Sequence, residues 1–92
     1  TDKFMDVTTS THGDVKVVII RMRVVPALDV TALHSLEGLV TTCQKKNIKL
    51  LFSHVQDQPY HAMEKAGFTQ LVGIQNFREN IDDALEYAET LL

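Results

Sequence analysis

The segment Val17-Val18-Ile19-Ile20 constrains the fold more than any other part of this 92-residue chain. Four consecutive β-branched residues place apolar side chains on both faces of a strand, which is typical of a central strand that helices cover on each side. We therefore predict a buried strand within residues 15–25, which Pro26 ends.

A second apolar segment follows at a distance that suits a crossover helix. Residues 31–46 carry one helical stripe of apolar side chains, formed by Leu33, Leu36, Val40 and Cys43. Residues 48–55 form the second predicted buried strand. Strand, helix and strand in this order predict a βαβ unit with adjacent parallel strands. Cys43 is interpreted as a small core residue of the helix.

The remaining segments continue the alternation of helix and strand. Pro59 is predicted to begin a third helical segment at its first position, and Gly67 to end it. Residues 68–73 are predicted to form a short last strand, and Asn80 to cap the final helix. The expected fold class is a small α/β domain, with a mixed, mainly parallel sheet flanked by helices.

Composition excludes several classes of function. The net charge of −3 argues against a general nucleic-acid binder, so no nucleic-acid partner is expected. The single cysteine rules out an internal disulfide and a CxxC metal or redox site. No apolar run reaches the ~18 residues that span a bilayer. No nucleophile–base pair stands at helical or loop spacing, so we predict that the chain is not an enzyme.

The turn after the first predicted strand is the candidate functional site. Asp29, Val30, Thr31 and Ala32 stand where a buried strand meets the start of a helix, and the first N–H groups of a helix have no intrahelical partner. Such a turn favours an anion, which would be a side-chain carboxylate, a phosphate or a bound ligand. The structural alternative is that Asp29 caps the helix and Thr31 is an ordinary first-turn residue.

This turn resembles the signature of STAS domains, the sulfate transporter and anti-sigma factor antagonist domains. The antagonists have an Asp-Ser-Ser-Gly-Leu-like pattern here, and its second Ser is phosphorylated. The resemblance implies that Thr31 occupies the phosphoacceptor position and Asp29 the preceding acidic position. Val30 and Ala32 depart from the antagonist pattern.

Those departures point to one branch of the family, the cytoplasmic C-terminal domain of bacterial SulP-type anion transporters. Four stretches in the same order resemble that branch: residues 18–33, 49–55, 63–68 and 81–88. The resemblance implies a non-catalytic regulatory and interaction domain, without cofactor or metal. It also implies a location at the cytoplasmic face of the cell membrane, as part of an integral membrane protein that transports sulfate or a related anion.

The resemblance implies several kinds of partner. These are the transporter membrane domain of the same chain, a second copy in a homodimer and a cytosolic regulatory protein. Weak nucleotide binding at the turn is a variant, although the turn lacks a phosphate-binding glycine motif. The alternative function is a free-standing anti-sigma factor antagonist that phosphorylation of Thr31 would switch.

The start of the chain departs from the family. Residues 2–8 are predicted as a short helix or a strand, and residues 9–14 as a turn. Family members begin with a further N-terminal strand, which we expect to be missing here and which would leave an unpaired sheet edge. We interpret residues 1–92 as one STAS domain and as a fragment of a longer membrane transporter.

Two further groups of side chains are candidates for chemistry. Arg21 and Arg23 lie near the end of the first predicted strand, where they either meet an anion at its carboxyl end or are solvated strand-end residues. The four histidines show no metal-ligand spacing and are interpreted as surface or partly buried residues: His12, His34, His54 and His61.

Overall fold

The structure, a computed structural model, describes the backbone of residues 6–9 and all atoms of residues 15–92. The described elements in chain order are β1 (Asp6–Thr9), β2 (Val17–Arg21), α1 (Val30–Lys45), β3 (Lys49–Ser53), α2 (Asp57–Lys65), α3 (Phe68–Val72), a single 3₁₀ turn (Ile74–Asn76), β4 (Phe77–Arg78) and α4 (Ile81–Thr90).

The strands form one sheet in the order β1-β2-β3-β4. β1 is antiparallel to β2, whereas β2, β3 and β4 are parallel to one another. In the central pair Val17 lies opposite Lys49 and Arg21 lies opposite Ser53, with α1 as the crossover between the two strands. The predicted βαβ unit and the predicted fold class are therefore confirmed.

Helices cover both faces of the sheet, as the apolar residues on both faces of β2 predict. On one face Ile20 and Phe52 pack in a cluster with the buried stripe of α1 and with α2 and α3. On the other face Ile19 and Leu51 pack against the small side chains of α4. Because side chains alternate along a strand, Arg21 continues the row of Ile19 and lies on the α4 face.

Two helix ends follow their sequence signals. α1 ends at Lys45, and Asn47 just beyond it adopts a positive φ of 59°, a conformation that asparagine tolerates well. At the start of α4 the Asn80 side chain accepts a hydrogen bond from the Asp83 N–H at 2.7 Å, so the predicted cap is confirmed.

The predicted boundaries of the third helical segment are right at its end and wrong at its start. Gly67, at φ 77°, separates α2 from α3, as expected for a residue just past a helix end. α2 begins at Asp57 rather than at Pro59, which is its third residue. Pro59 is accommodated there because the N–H groups of a first helical turn have no intrahelical partner to lose.

The predicted strand over residues 68–73 is wrong, because this segment forms α3. The buried Phe68 ring meets the Phe52 ring edge-on at a centroid distance of 5.6 Å. Apolar side chains at Phe68, Leu71 and Val72 suit a helix as well as a short strand, so their spacing does not separate the two. The last strand comes later, as the two-residue β4.

The N-terminal segment is described in part. The strand alternative is confirmed for residues 6–8, and Thr9, which we assigned to the turn, also belongs to β1. Residues 2–5 and residues 10–14 lie outside the described residues. The expected absence of a further N-terminal strand stays a prediction.

Candidate functional site

The candidate turn belongs to the loop between β2 and α1, at the carboxyl edge of the parallel strands. Three apolar side chains of this loop are buried, namely Met22, Val25 and Leu28. The Val25 N–H also donates to the Met22 carbonyl at 3.1 Å, which closes a tight turn. The loop is therefore anchored in the core along its length, although it lies at the surface.

Two glutamines at the start of α2 hold the same segment by its backbone. The Gln56 side-chain amide donates to the Arg23 carbonyl at 2.6 Å. The Leu28 N–H donates to Gln58 Oε1 at 2.7 Å. Since both glutamines belong to the start of α2, the loops after β2 and β3 are fixed to each other.

The N-terminus of α1 shows how the candidate residues are used. Asp29 Oδ1 accepts a hydrogen bond from the Ala32 N–H at 2.8 Å, so Asp29 caps the helix. Val30 and Thr31 are its first two residues, and their N–H groups have no partner inside the helix. Thr31 is exposed. The four predicted residues therefore lie together, with one N–H already taken by the Asp29 carboxylate.

Exposed apolar side chains flank this turn. Val24 is 76% exposed and Val30 is 84% exposed, the largest values among the big apolar side chains that the structure describes. An open groove beside Val30 lies between the turn and α2. The charged or titratable residues of α2 that line this groove are Asp57, His61 and Lys65. An apolar surface with a polar border is typical of a protein-binding site.

The N-terminus of α4 lies at the same edge of the sheet but on its other face. Arg78 Nε and Nη2 donate to the two Asp83 carboxylate oxygens at 3.0 and 3.1 Å. These hydrogen bonds lower the pKa of Asp83 and raise the pKa of Arg78. The Arg78 guanidinium also lies 4.4 Å from the centre of the Tyr87 ring. These contacts fix the first turn of α4 to β4.

The other sequence candidates are dispersed in the part of the chain that the structure describes. Cys43 is buried, and burial raises the pKa of its thiol, against a smaller lowering by the charge of Lys46. His34, His54 and His61 are exposed, while His12 lies outside the described residues. Over residues 15–92, no three side chains of the types that bind metals come together as a metal site.

Sequence reasoning missed the two glutamines that hold the loop. Gln56 and Gln58 flank the start of α2, and their position immediately after a buried strand was the available signal. Nothing in their spacing indicates that they bond to residues 23 and 28, because those contacts depend on which loops meet at the carboxyl edge.

The family model of the STAS domain matches residues 2–84. No curated protein matches the sequence. The crystal structure of a sulfate transporter family protein from Wolinella succinogenes is similar, with 38% identity, a TM-score of 0.82, and coverage of 88% of this chain and 66% of that one.

A second solved structure is also similar. It is the SulP transporter STAS domain from Vibrio cholerae, with 33% identity and a TM-score of 0.76. The match covers 82% of this chain and 59% of that one. The chain thus corresponds to about two thirds or less of the length of both proteins. Among the helices that the structure describes, none combines the length and the hydropathy that crossing a membrane requires.

Proposed function

The chain belongs to the STAS domain family, and we propose that it is the regulatory domain of a SulP-type transporter for sulfate or a related anion. One observation carries this proposal: the two similar solved structures, at 38% and 33% identity, are a sulfate transporter family protein and a SulP transporter domain. The alternative of a free-standing anti-sigma factor antagonist is not favoured, because neither of these structures is an antagonist.

The domain acts by contact in this proposal and catalyses no reaction. Its partner is the membrane domain of the same transporter, so that it lies at the cytoplasmic face of the cell membrane. The surface that makes the contact is the turn at Asp29, Val30, Thr31 and Ala32. Exposed Val24 and Val30 supply the apolar area there, and the buried side chain of Leu28 anchors the loop in the core.

The rigidity of the loop supports this assignment. A surface that is held before binding loses little conformational entropy when the complex forms. The hydrogen bonds from Gln56 and to Gln58, at 2.6 and 2.7 Å, hold the loop in this way. In this proposal the same turn also accepts a further partner, which is a second copy of the chain, a cytosolic regulatory protein or a nucleotide.

Thr31 is the residue at which the contact is regulated. It is exposed in the first turn of α1, where an added phosphate meets unpaired N–H groups and the positive end of the helix dipole. The added charge of about −1.5 to −2 is therefore compatible with the fold and changes the surface that a partner meets.

The test uses the full-length gene product with Thr31→Glu, and Thr41→Glu as the matched control. Thr41 is also exposed on α1 and lies ten residues further on, about 15 Å along the helix. We expect the full-length protein to fractionate with membranes and to take up labelled sulfate. Thr31→Glu changes the uptake rate, whereas Thr41→Glu does not.

Two results contradict the proposal. If the full-length protein is not in the membrane fraction, the assignment to a transporter is wrong. If it transports sulfate and Thr31→Glu, Thr31→Val and Val30→Asp all leave uptake at the parent rate, the turn is not the regulatory surface.

A further inference from the structure

A cavity of about 250 Å³ opens between the C-terminal end of α1, the start of β3 and α3. Its wall includes Val40, Cys43 and Leu50, which are at most 7% exposed. Leu71 of α3 also lines it and is 48% exposed. Since Cys43 lies about 18 Å along α1 from Thr31, this cavity is separate from the candidate turn.

We propose that this cavity binds a small amphipathic carboxylate, with its apolar body against the buried side chains and its carboxylate beside the lysines at the end of α1. Binding sites for small molecules combine an apolar wall with a few polar groups that orient the ligand. The cavity has both features, and no acidic residue lines it.

Two lysines supply the positive charge. Lys49 is exposed and lines the cavity. Lys46 is exposed next to it, and its charge lowers the pKa of the Cys43 thiol, although burial raises that pKa by more. The field of Lys46 therefore reaches the cavity wall. Neither lysine side chain forms an ion pair with any residue that the structure describes, so both charges are available to an anion.

The end of α1 does not oppose an anion as an open helix C-terminus would. The carbonyls of Thr42, Cys43 and Gln44 accept hydrogen bonds from the N–H groups of residues 46, 48 and 47, at 3.1, 2.8 and 3.2 Å. The side-chain amides of Gln44 and Asn47 line the cavity and make no hydrogen bond to any described residue. They are therefore donors that a carboxylate can use.

The size of the cavity sets the size of the apolar body. An apolar cavity of about 150 Å³ holds benzene, so this one accommodates a somewhat larger body, of about six carbons and a carboxylate. Cavities that hold drug-sized molecules measure about 300–1,000 Å³, which is more than is present here. The inference is separate from the proposed regulatory function and holds whether or not the domain regulates a transporter.

The test is a titration of the ¹⁵N-labelled 92-residue chain with sodium hexanoate, 1-hexanol and sodium acetate, followed by NMR. Sodium chloride at matched ionic strength corrects for screening. We expect hexanoate to give saturable shifts of the Cys43, Ile48 and Leu71 amides, with a Kd of the order of 1 mM. Hexanol, which lacks the charge, binds about fivefold more weakly. Acetate, which lacks the apolar body, gives no saturable shift.

The variants separate the two parts of the ligand. Lys46→Gln and Lys49→Gln each weaken hexanoate binding by about two- to fivefold and leave hexanol binding unchanged, as expected for an exposed charge pair. Leu71→Ser weakens both by about fivefold. Lys65→Gln is the matched control, because it removes an exposed cation of α2 outside this cavity, and it leaves both Kd values unchanged.

Four results would overturn the proposal. They are no saturable shift at about ten times the expected Kd, shifts centred on Val24 and Val30, equal binding of hexanoate and hexanol without an effect of either lysine variant, and binding to phosphatidylglycerol vesicles without a response to hexanoate. Retained amide dispersion in the variants shows that lost binding is not lost folding.

Discussion

Replacing Asp29 separates the structural use of the candidate turn from its use as a surface. The Asp29 carboxylate accepts one hydrogen bond, from the Ala32 N–H at 2.8 Å, and the first turn of α1 contains no other acidic residue. Losing such a cap costs about 1 kcal/mol, and losing the charge at the helix N-terminus costs about 0.3–1 kcal/mol more. Asp29→Ala loses both contributions and Asp29→Asn only the second.

The expected destabilisation is therefore about 1–2 kcal/mol for Asp29→Ala and less than about 1 kcal/mol for Asp29→Asn. For a domain of this size, 1 kcal/mol lowers Tm by about 4–8 °C. Urea unfolding followed by circular dichroism measures both variants. Asn80→Ala is the control, because it removes an uncharged cap of similar geometry from α4, at 2.7 Å, and is expected to cost about 1 kcal/mol.

Thr31→Val belongs to the same series. The Thr31 hydroxyl makes no hydrogen bond to any of the described residues. The free energy of unfolding of Thr31→Val is therefore expected to equal that of the parent. Equal destabilisation by Asp29→Ala and Asp29→Asn, or a loss of ~1 kcal/mol in Thr31→Val, would refute the assignment of the cap to Asp29.

Two further predictions concern the α4 side of the sheet. The pKa of Asp83 is lowered by its hydrogen bonds from Arg78, so its contribution to stability is complete above the unfolded pKa of about 3.9 and disappears as pH falls through the folded pKa. The urea midpoint of Asp83→Asn should lie below that of the parent at pH 7, and the two midpoints should converge below about pH 4. A difference between the midpoints that stays constant with pH would contradict this prediction. Leu51→Ala should lose about 2–5 kcal/mol in urea unfolding, because Leu51 is fully buried against α4, and a loss below about 1 kcal/mol would show that the site collapses around the smaller side chain.

The sequence predicts the central βαβ unit well because each of its elements carries a signal of its own. The β-branched run of β2 is apolar on both faces, and both faces are covered. The stripe through Leu36, Val40 and Cys43 is the buried face of α1. Here local propensity and tertiary packing favour the same structure, so neither overrides the other.

The prediction is wrong where a segment is too short to show a period. Residues 68–73 contain three large apolar side chains, which suit a strand and a helix alike. Packing favours the helix, because from α3 the buried Phe68 ring meets the Phe52 ring edge-on in the core. β4 has two residues, Phe77 and Arg78, and a strand of that length is too short for its hydrophobic periodicity to predict it.

The candidate site follows the same division between local and long-range signals. The cap at Asp29 depends on residues three apart and is visible in the sequence. The hydrogen bonds that hold the loop join residues 30 and 33 apart in the sequence. Likewise, the end of β2 meets the start of α4, which lies about sixty residues later in the chain. Such juxtapositions follow from topology, which places the carboxyl ends of β2 and β3 beside the start of α4.

Arg23 connects the two surfaces at the carboxyl edge. Arg23 lines a cavity on the α4 face of the sheet, between the ends of β2 and β3 and the start of α4, while its carbonyl accepts the hydrogen bond from Gln56 that holds the loop. Exposed Val24 follows it directly. A ligand shifts a conformational equilibrium only by as much as its affinity differs between the two states. A partner that binds exposed Val24 therefore affects the loop only to the extent that the backbone of Arg23 differs between the bound and free states, and the hydrogen bond from Gln56 opposes that difference.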